Sequence, residues 1–244
     1  MNALPQVIQD YEMVKRGVST DLPDVPFQML THLDLSTAQW SSIARNMGWQ
    51  ALRINLNTLL RHGVFNDVTM VDFVAARLGD EQSIRKAKAF PYQLLMAYQA
   101  AKQEMPVVIS EALQDALEHS LVNVPHLAGK KVVVCPDVSG SMQSPATGFR
   151  KGATTSVRCI DVAGLVAAAM LRSNPETIVL PFENQVVDIR LNGRDSVMTN
   201  AKRLANIGGG GTNCSAPFAW LVKQKMPVDV VIFVSDNQSW MYAK

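Results

Sequence analysis

At 244 residues with 48% hydrophobic content, the chain is long enough to bury a real core in one large or two modest domains, which excludes a wholly disordered protein. Twenty-three Lys and Arg against 21 Asp and Glu leave a net charge of +2, so neither a histone-like basic binder nor an acidic solvating chain fits. No apolar run approaches the roughly 18 residues of a membrane span, and Asp10, Glu12, Lys15 and Arg16 stand where an export signal would be. The three cysteines, Cys135, Cys159 and Cys214, include no CxxC pair; a cytoplasmic chain with reduced thiols is expected.

Charge divides unevenly along the chain. Residues 1–129 hold 10 Lys and Arg against 13 Asp and Glu, whereas residues 130–244 hold 13 against 8. In the first part, apolar helical periods alternate with stops. Ser36 is expected to cap a helix containing Trp40, Ile43, Ala44 and Met47 and ending at Gly48. Leu52, Leu56, Leu59 and Leu60 share one face of a next helix, which Gly63 terminates. Asn66 or Asp67 caps a helix with Met70, Val71, Phe73, Val74 and Leu78, and Gly79 takes the left-handed position at its end. Pro91 opens a helix over residues 92–103, and Ile109, Leu113, Ala116, Leu117 and Leu121 mark another. Short helices in succession predict a stacked helical-hairpin array or an irregular bundle over residues 1–125.

Residues 123–129 break helix and begin a different pattern. Val132, Val133, Val134 and Cys135 form the continuous apolar run of a strand buried on both faces. A nearly all-apolar helix over 160–171, strands over 177–181 and 185–190, helices over 195–207 and 216–225, and a strand over 228–234 come after it. This order predicts a doubly wound, mainly parallel sheet over residues 126–244, with its ligand site beyond the C-terminal strand ends.

Asp137-Val138-Ser139-Gly140-Ser141 follows the first of these strands and Ser235-Asp236-Asn237 the last, with glycines 208–211 and Thr212 between them. Hydroxyls at Ser139 and Ser141 can face one point, Thr212 can add a third oxygen, and Asp137 and Asp236 supply negative charge. Hard oxygen ligands without His or Cys select Mg²⁺ or Mn²⁺ over zinc. Ser139 and Ser141 are expected to touch such an ion, Thr212 directly or after a ligand-induced shift, and both aspartates through water. That arrangement leaves the ion electrophilic and open to an acidic ligand. Alanine at Ser139 and Ser141 is expected to cost within about 0.5 kcal/mol on a surface loop, and Asp137→Ala to relieve repulsion with Asp236. Enzymatic readings lack their parts: the glycine loop has no Lys of a GxxxxGK[ST] motif, and no G-x-S-x-G precedes a helix. His32, His62, His119 and His126 all precede the strand at Val132.

The DxSxS pattern, the glycine-rich loop ending in Thr212 and the Asp236 strand end resemble the metal-ion-dependent adhesion site of von Willebrand factor A domains. With the Gly209–Pro217 stretch, Leu59-Leu60-Arg61 and the run from Arg85 to Tyr92 in a helical array ahead of it, the chain resembles the Ro ribonucleoprotein family. That family joins a TROVE module of HEAT-like helical repeats to an A domain. The resemblance implies a non-enzymatic protein binding small noncoding RNAs and misfolded RNA ends, without DNA or membrane partners. A metal-dependent protein-adhesion or chaperone-adaptor module without an RNA role is the alternative. The family's helical ring is about twice what residues 1–125 supply, and Lys244 falls before the last strands of an A domain, so a fragment is expected.

Arg45, Arg53, Arg61, His62, Arg85, Lys86 and Lys88 are candidates for an RNA-facing stripe, with bases stacked on Trp40, Trp49 or Tyr92, and His32 is a further candidate contact. The rival reading is solvated helix faces. Arg150 and Lys151, in the loop over 143–155, are expected on a surface loop with phosphate contact as the rival role, and Cys214 is expected to be a packing residue.

Overall fold

Side chains that accept the free N–H groups of a first turn set three of the helix starts in the first half, at Ser36, Asp67 and Asp80. The structure, a computed structural model, describes residues 4–101, 104–148 and 156–236. Helix α1 (Gln6–Lys15) precedes α2 (Thr37–Asn46), where Ser36 and Gln39 form a reciprocal capping box. Helices α3 (Trp49–Ile54) and α4 (Leu56–Arg61) come next. Asp67 then caps α5 (Val68–Gly79) through the Thr69 N–H, and Asp80 caps α6 (Glu81–Lys86) through the Ser83 N–H. Pro91 opens α7 (Pro91–Ala100), and α8 (Val107–His119) closes the series.

Three helix ends differ from the sequence expectation. Leu52, Leu56 and Leu59 do share a buried face, but Asn55 splits their helix in two. Its side-chain amide donates to the Ala51 carbonyl at 2.8 Å and competes with the helical ladder. The helix from Ser36 stops at Asn46, and Gly48 opens α3. Gly79 stays inside α5 with a negative φ, because Asp80 ends one helix while capping the next. Gly63 is left-handed at φ 71°, as expected of a residue that turns the chain after α4. Leu52 and Leu59 are fully buried, and each such side chain stabilises by roughly 1.5–3 kcal/mol.

In the second half, β1 (Val132–Pro136) is flanked by β2 (Ile178–Val179) and β3 (Val230–Val234), all parallel, in the order β2-β1-β3. Alternate residues of β1 point to opposite sides. Val132 and Val134 meet Ala167 and Met170 of α9 (Cys159–Ser173) and Leu204 of α10 (Val197–Ala205). Val133 and Cys135 meet Phe182 and Leu221, the latter on α11 (Ala216–Lys223). Helices therefore cover both faces, and crossovers bring the strands' C-terminal ends to one edge. Gly164 lets α9 and α10 cross closely, since a Cβ there would stand 2.8 Å from the Ala201 carbonyl.

Two strand expectations shift. Residues 185–190 make only a single bridge, Phe182 to Val186, because Glu183 N–H bonds Gln185 O and folds the chain back. Asp229, the polar residue of the last strand, stands just before β3. Its carboxylate accepts the Lys131 N–H at 2.8 Å and sets the β1–β3 register.

The two halves share a core. Leu165 and Ala168 of α9 and Val197 and Ala201 of α10 pack with Leu113 and Leu117 of α8. Glu118 of α8 also accepts the Val197 N–H at 2.8 Å, capping α10 from the other half. Pro125 and Leu127 are both tied to the Asn174 side chain.

Candidate metal centre and nucleic-acid face

Beyond β1 the chain leaves the sheet held from both sides. Asp137 N–H donates to Val234 O and Val138 N–H to Phe182 O, each at 2.9 Å. Asp137 is fully buried. One carboxylate oxygen accepts the Ser139 N–H at 2.9 Å, and the other accepts the Ser235 hydroxyl at 2.8 Å. Ser139 and Thr212, each 1% exposed, join through a 2.8 Å hydrogen bond from the Thr212 hydroxyl to Ser139 Oγ. Ser141 Oγ lies 3.3 Å from Ser139 Oγ. Asp137, Ser139, Ser141 and Thr212 thus form one connected set. Asp236 follows Ser235, and its charge acts on Cys159 at the start of α9.

The glycine loop reaches this set because Gly208, at φ 113°, passes so close to Val138 that a Cβ would lie 1.9 Å from its carbonyl oxygen. Gly140 N–H donates to Gly210 O at 2.9 Å. Glu183 clasps the loop from the β2 side: its carboxylate accepts the Gly210 N–H at 2.8 Å and its carbonyl the Asn213 N–H at 2.9 Å. Ser235 and Glu183 were not among the sequence candidates. Ser235 had a signal, its place between a buried strand and Asp236; Glu183 had none, because its role depends on a loop 27 residues away.

The donor set fits a hard cation. It offers three hydroxyl oxygens and the Asp137 carboxylate, the oxygen donors that hard cations take, although no group of three or more His, Cys, Asp and Glu is placed to hold an ion among the described residues. No Lys, Arg or His pairs with Asp137 among the described residues. The thiols nearby are poor ligands: burial pushes Cys135 up to about 12, and burial followed by the Asp236 charge raises Cys159.

The candidate cations of the helical half sit in separate settings. His32 Nε2 lies 2.8 Å from the Tyr11 hydroxyl. Arg45 and Arg77 both stand over the Phe73 ring. Arg53 is half-buried, donates to Gln93 O at 2.8 Å and to Gln50, and has its pKa lowered by burial, partly offset by Tyr92. Arg61 is exposed and bonded to Thr58 Oγ1. Arg85, Lys86 and Lys88 are exposed on one turn. Trp40, 1% exposed and stacked on His62, and Trp49, 6% exposed and bonded to Leu78 O, are core residues, so base stacking on them is ruled out. Arg150 and Lys151 lie outside the described residues.

The TROVE domain profile matches residues 24–132 and the Ro60 vWA domain profile matches residues 131–244. The chain belongs to the Ro ribonucleoprotein family. Ro-family relatives include the "RNA-binding protein RO60" of Deinococcus radiodurans, 28% identical over 209 residues, which cover 76% of this chain and 36% of that protein. A second is the "RNA-binding protein RO60" of Caenorhabditis elegans, 24% identical over 184 residues covering 71% of this chain and 28% of that protein. The chain thus spans about a third of the length of these Ro proteins. The crystal structure of the Deinococcus radiodurans RO protein superposes with a TM-score of 0.78 at 22% identity, over 96% of this chain and 49% of that one. Helical repeats followed by a parallel-sheet A domain are therefore the Ro arrangement, and no helix of the described residues is long and apolar enough to cross a membrane.

Proposed function

We propose that this chain is a non-enzymatic, RNA-binding ribonucleoprotein component acting in the cytoplasm on small noncoding or misfolded RNA. Its helical part, residues 1–125, meets the RNA, and its A-type part, residues 126–244, carries a Mg²⁺ or Mn²⁺ site. The observation that carries the reading is the succession of TROVE and vWA matches in one chain, in a family whose members are named RNA-binding proteins. The exposed cations of residues 85–88 supply the electrostatic contact that phosphates need.

At the strand ends, Ser139, Ser141 and Thr212 are the residues that would hold the ion, with Asp137 and Asp236 acting through water and hydrogen bonds. Support comes from Asp137, a fully buried carboxylate at the strand end whose hydrogen bonds from the Ser139 N–H and the Ser235 hydroxyl hold its charge beside the hydroxyl oxygens. A bound divalent ion supplies Lewis acidity and an open position for a partner's carboxylate or phosphate. The residues themselves fix the oxygens: Asp137 orients the Ser139 backbone, and Glu183 fixes the glycine loop that presents Thr212.

Electrophoretic mobility shifts with structured small RNAs test the RNA claim. Binding that weakens steeply with salt is expected; no binding at low salt, or binding indifferent to salt, overturns it.

A further inference from the structure

Where α7 meets α9, the surface opens into an almost wholly apolar cavity of about 190 Å³ whose walls include Phe90, Tyr92, Val124, Leu165 and Met170. Phe90 and Tyr92 are 42% and 46% exposed, so both aromatic side chains are accessible from solvent. The polypeptide leading to them is basic: from Gln82 to Gln103 there is no Asp or Glu, and Arg85, Lys86 and Lys88 are exposed. Lys88 adopts φ 48°, a left-handed conformation that glycine would take more readily, so this turn keeps a cation at a conformational cost. The turn is also held rigidly. Asn123 donates to the Ala89 carbonyl at 2.8 Å, Gln50 donates to Ala87 O, and Arg53 donates to Gln93 O in the first turn of α7.

An apolar slot rimmed by two aromatic rings, two residues from a preorganised basic turn, matches one ligand chemistry. An unstacked nucleobase offers a flat π-face to the rings and an apolar body to the slot, while its flanking phosphates meet the cations. A-form duplex cannot enter, because its bases are already stacked and paired. We propose that this cavity is a base pocket for single-stranded RNA, with Phe90 and Tyr92 stacking an unpaired base and Arg85, Lys86 and Lys88 engaging the adjoining phosphates. The pocket rests on the RNA-binding reading above and deepens it. It also replaces the buried Trp40 and Trp49 as the stacking platform.

The test uses the full chain and a short single-stranded RNA carrying one 2-aminopurine, alongside the blunt duplex of the same sequence. The wild type is expected to prefer the single strand and to quench the 2-aminopurine fluorescence by stacking. Phe90→Leu with Tyr92→Leu keeps apolar volume but removes both rings; its melting temperature reports folding independently. That variant is expected to lose about 5- to 100-fold in single-strand affinity, together with the quenching, while its salt dependence stays unchanged. Replacing Arg85, Lys86 and Lys88 with Gln is expected to flatten the plot of log affinity against log salt, by up to about 0.7 in slope for each phosphate that is no longer neutralised. Unchanged affinity and quenching in the leucine variant, or a changed melting temperature alone, overturns the pocket while RNA binding stands. No binding of any RNA by the wild type overturns both.

Discussion

The two halves of this chain assemble function in opposite ways. At the sheet edge Asp137, Ser139 and Thr212 are almost wholly out of solvent and tied to one another, with the half-buried Ser141 beside Ser139. On the helical half the candidate contacts are exposed or half-buried and sit apart: Arg45 over Phe73, Arg53 bonded to Gln93, Arg61 to Thr58, and Arg85, Lys86 and Lys88 exposed on one turn. A cation site needs convergent oxygens at fixed distance, which strands held on both sides provide. A polyanion surface needs only accessible charge and π-faces, which rigid helices can display without connecting them. Substitutions at the sheet edge should therefore damage fold and site together, and those on the helical face should damage binding alone.

The largest effect is expected at Gly208. Alanine there would combine a disfavoured φ of 113° with a clash against Val138 O, costing about 2–6 kcal/mol by urea unfolding. A loss below about 1 kcal/mol would mean that the glycine loop is not packed against the DxSxS turn and would erase the contrast. Next comes Asp137→Ala, which removes the acceptor of the Ser139 N–H and the Ser235 hydroxyl. About 2–4 kcal/mol of destabilisation is expected in urea unfolding. This reverses the sequence expectation of relief from Asp236, because the structure gives Asp137 two donors of its own. A more stable variant would reinstate repulsion as the dominant force.

The smallest effect concerns the helix caps. Hydrogen bonds from Thr69 and Ser83 hold the Asp67 and Asp80 carboxylates below the ordinary value of 3.8. A carboxylate depressed in the folded state stabilises above its unfolded pKa, and that stability is lost as pH falls through the folded value. Far-UV circular dichroism should show a small loss of helix in acid below the ordinary carboxylate range. The Asp67→Asn and Asp80→Asn variants should lack that component, since Asn caps without titrating there. An identical acid profile in wild type and variants would mean that neither cap contributes to the acid response.

Much of the sheet edge was legible in the sequence because a buried parallel strand delivers the residues at its C-terminal end to a predictable place. Val132 to Cys135 marked the strand, and Asp137, Ser139 and Ser141 at alternate positions marked the turn. What escaped was burial. Ser139 is no surface residue, and the Thr212 hydroxyl depends on it, so its replacement costs about 1 kcal/mol, above the cost of about 0.5 kcal/mol or less expected on a surface loop. Glu183 escaped because nothing local marks a carboxylate that clasps a distant loop. On the helical half, caps at Ser36 and Asp67 were legible from residue type, while the break at Asn55 was masked by the continuous leucine face. Tryptophans looked like stacking platforms because hydropathy does not distinguish a core ring from a surface ring. Residues 123–129 were legible as a change of texture but not as a joint pinned by Asn174 and by a shared core.

Whether the buried hydroxyls at the sheet edge form a cation site is decided by isothermal titration of Mg²⁺ and Mn²⁺ into the wild type and the Ser139→Ala, Ser141→Ala double variant. Saturable binding is expected for the wild type and none for the variant, whose unfolding free energy should fall by only about 1–2 kcal/mol. Equal affinity in the two proteins would place the ion elsewhere and contradict a site built on these oxygens.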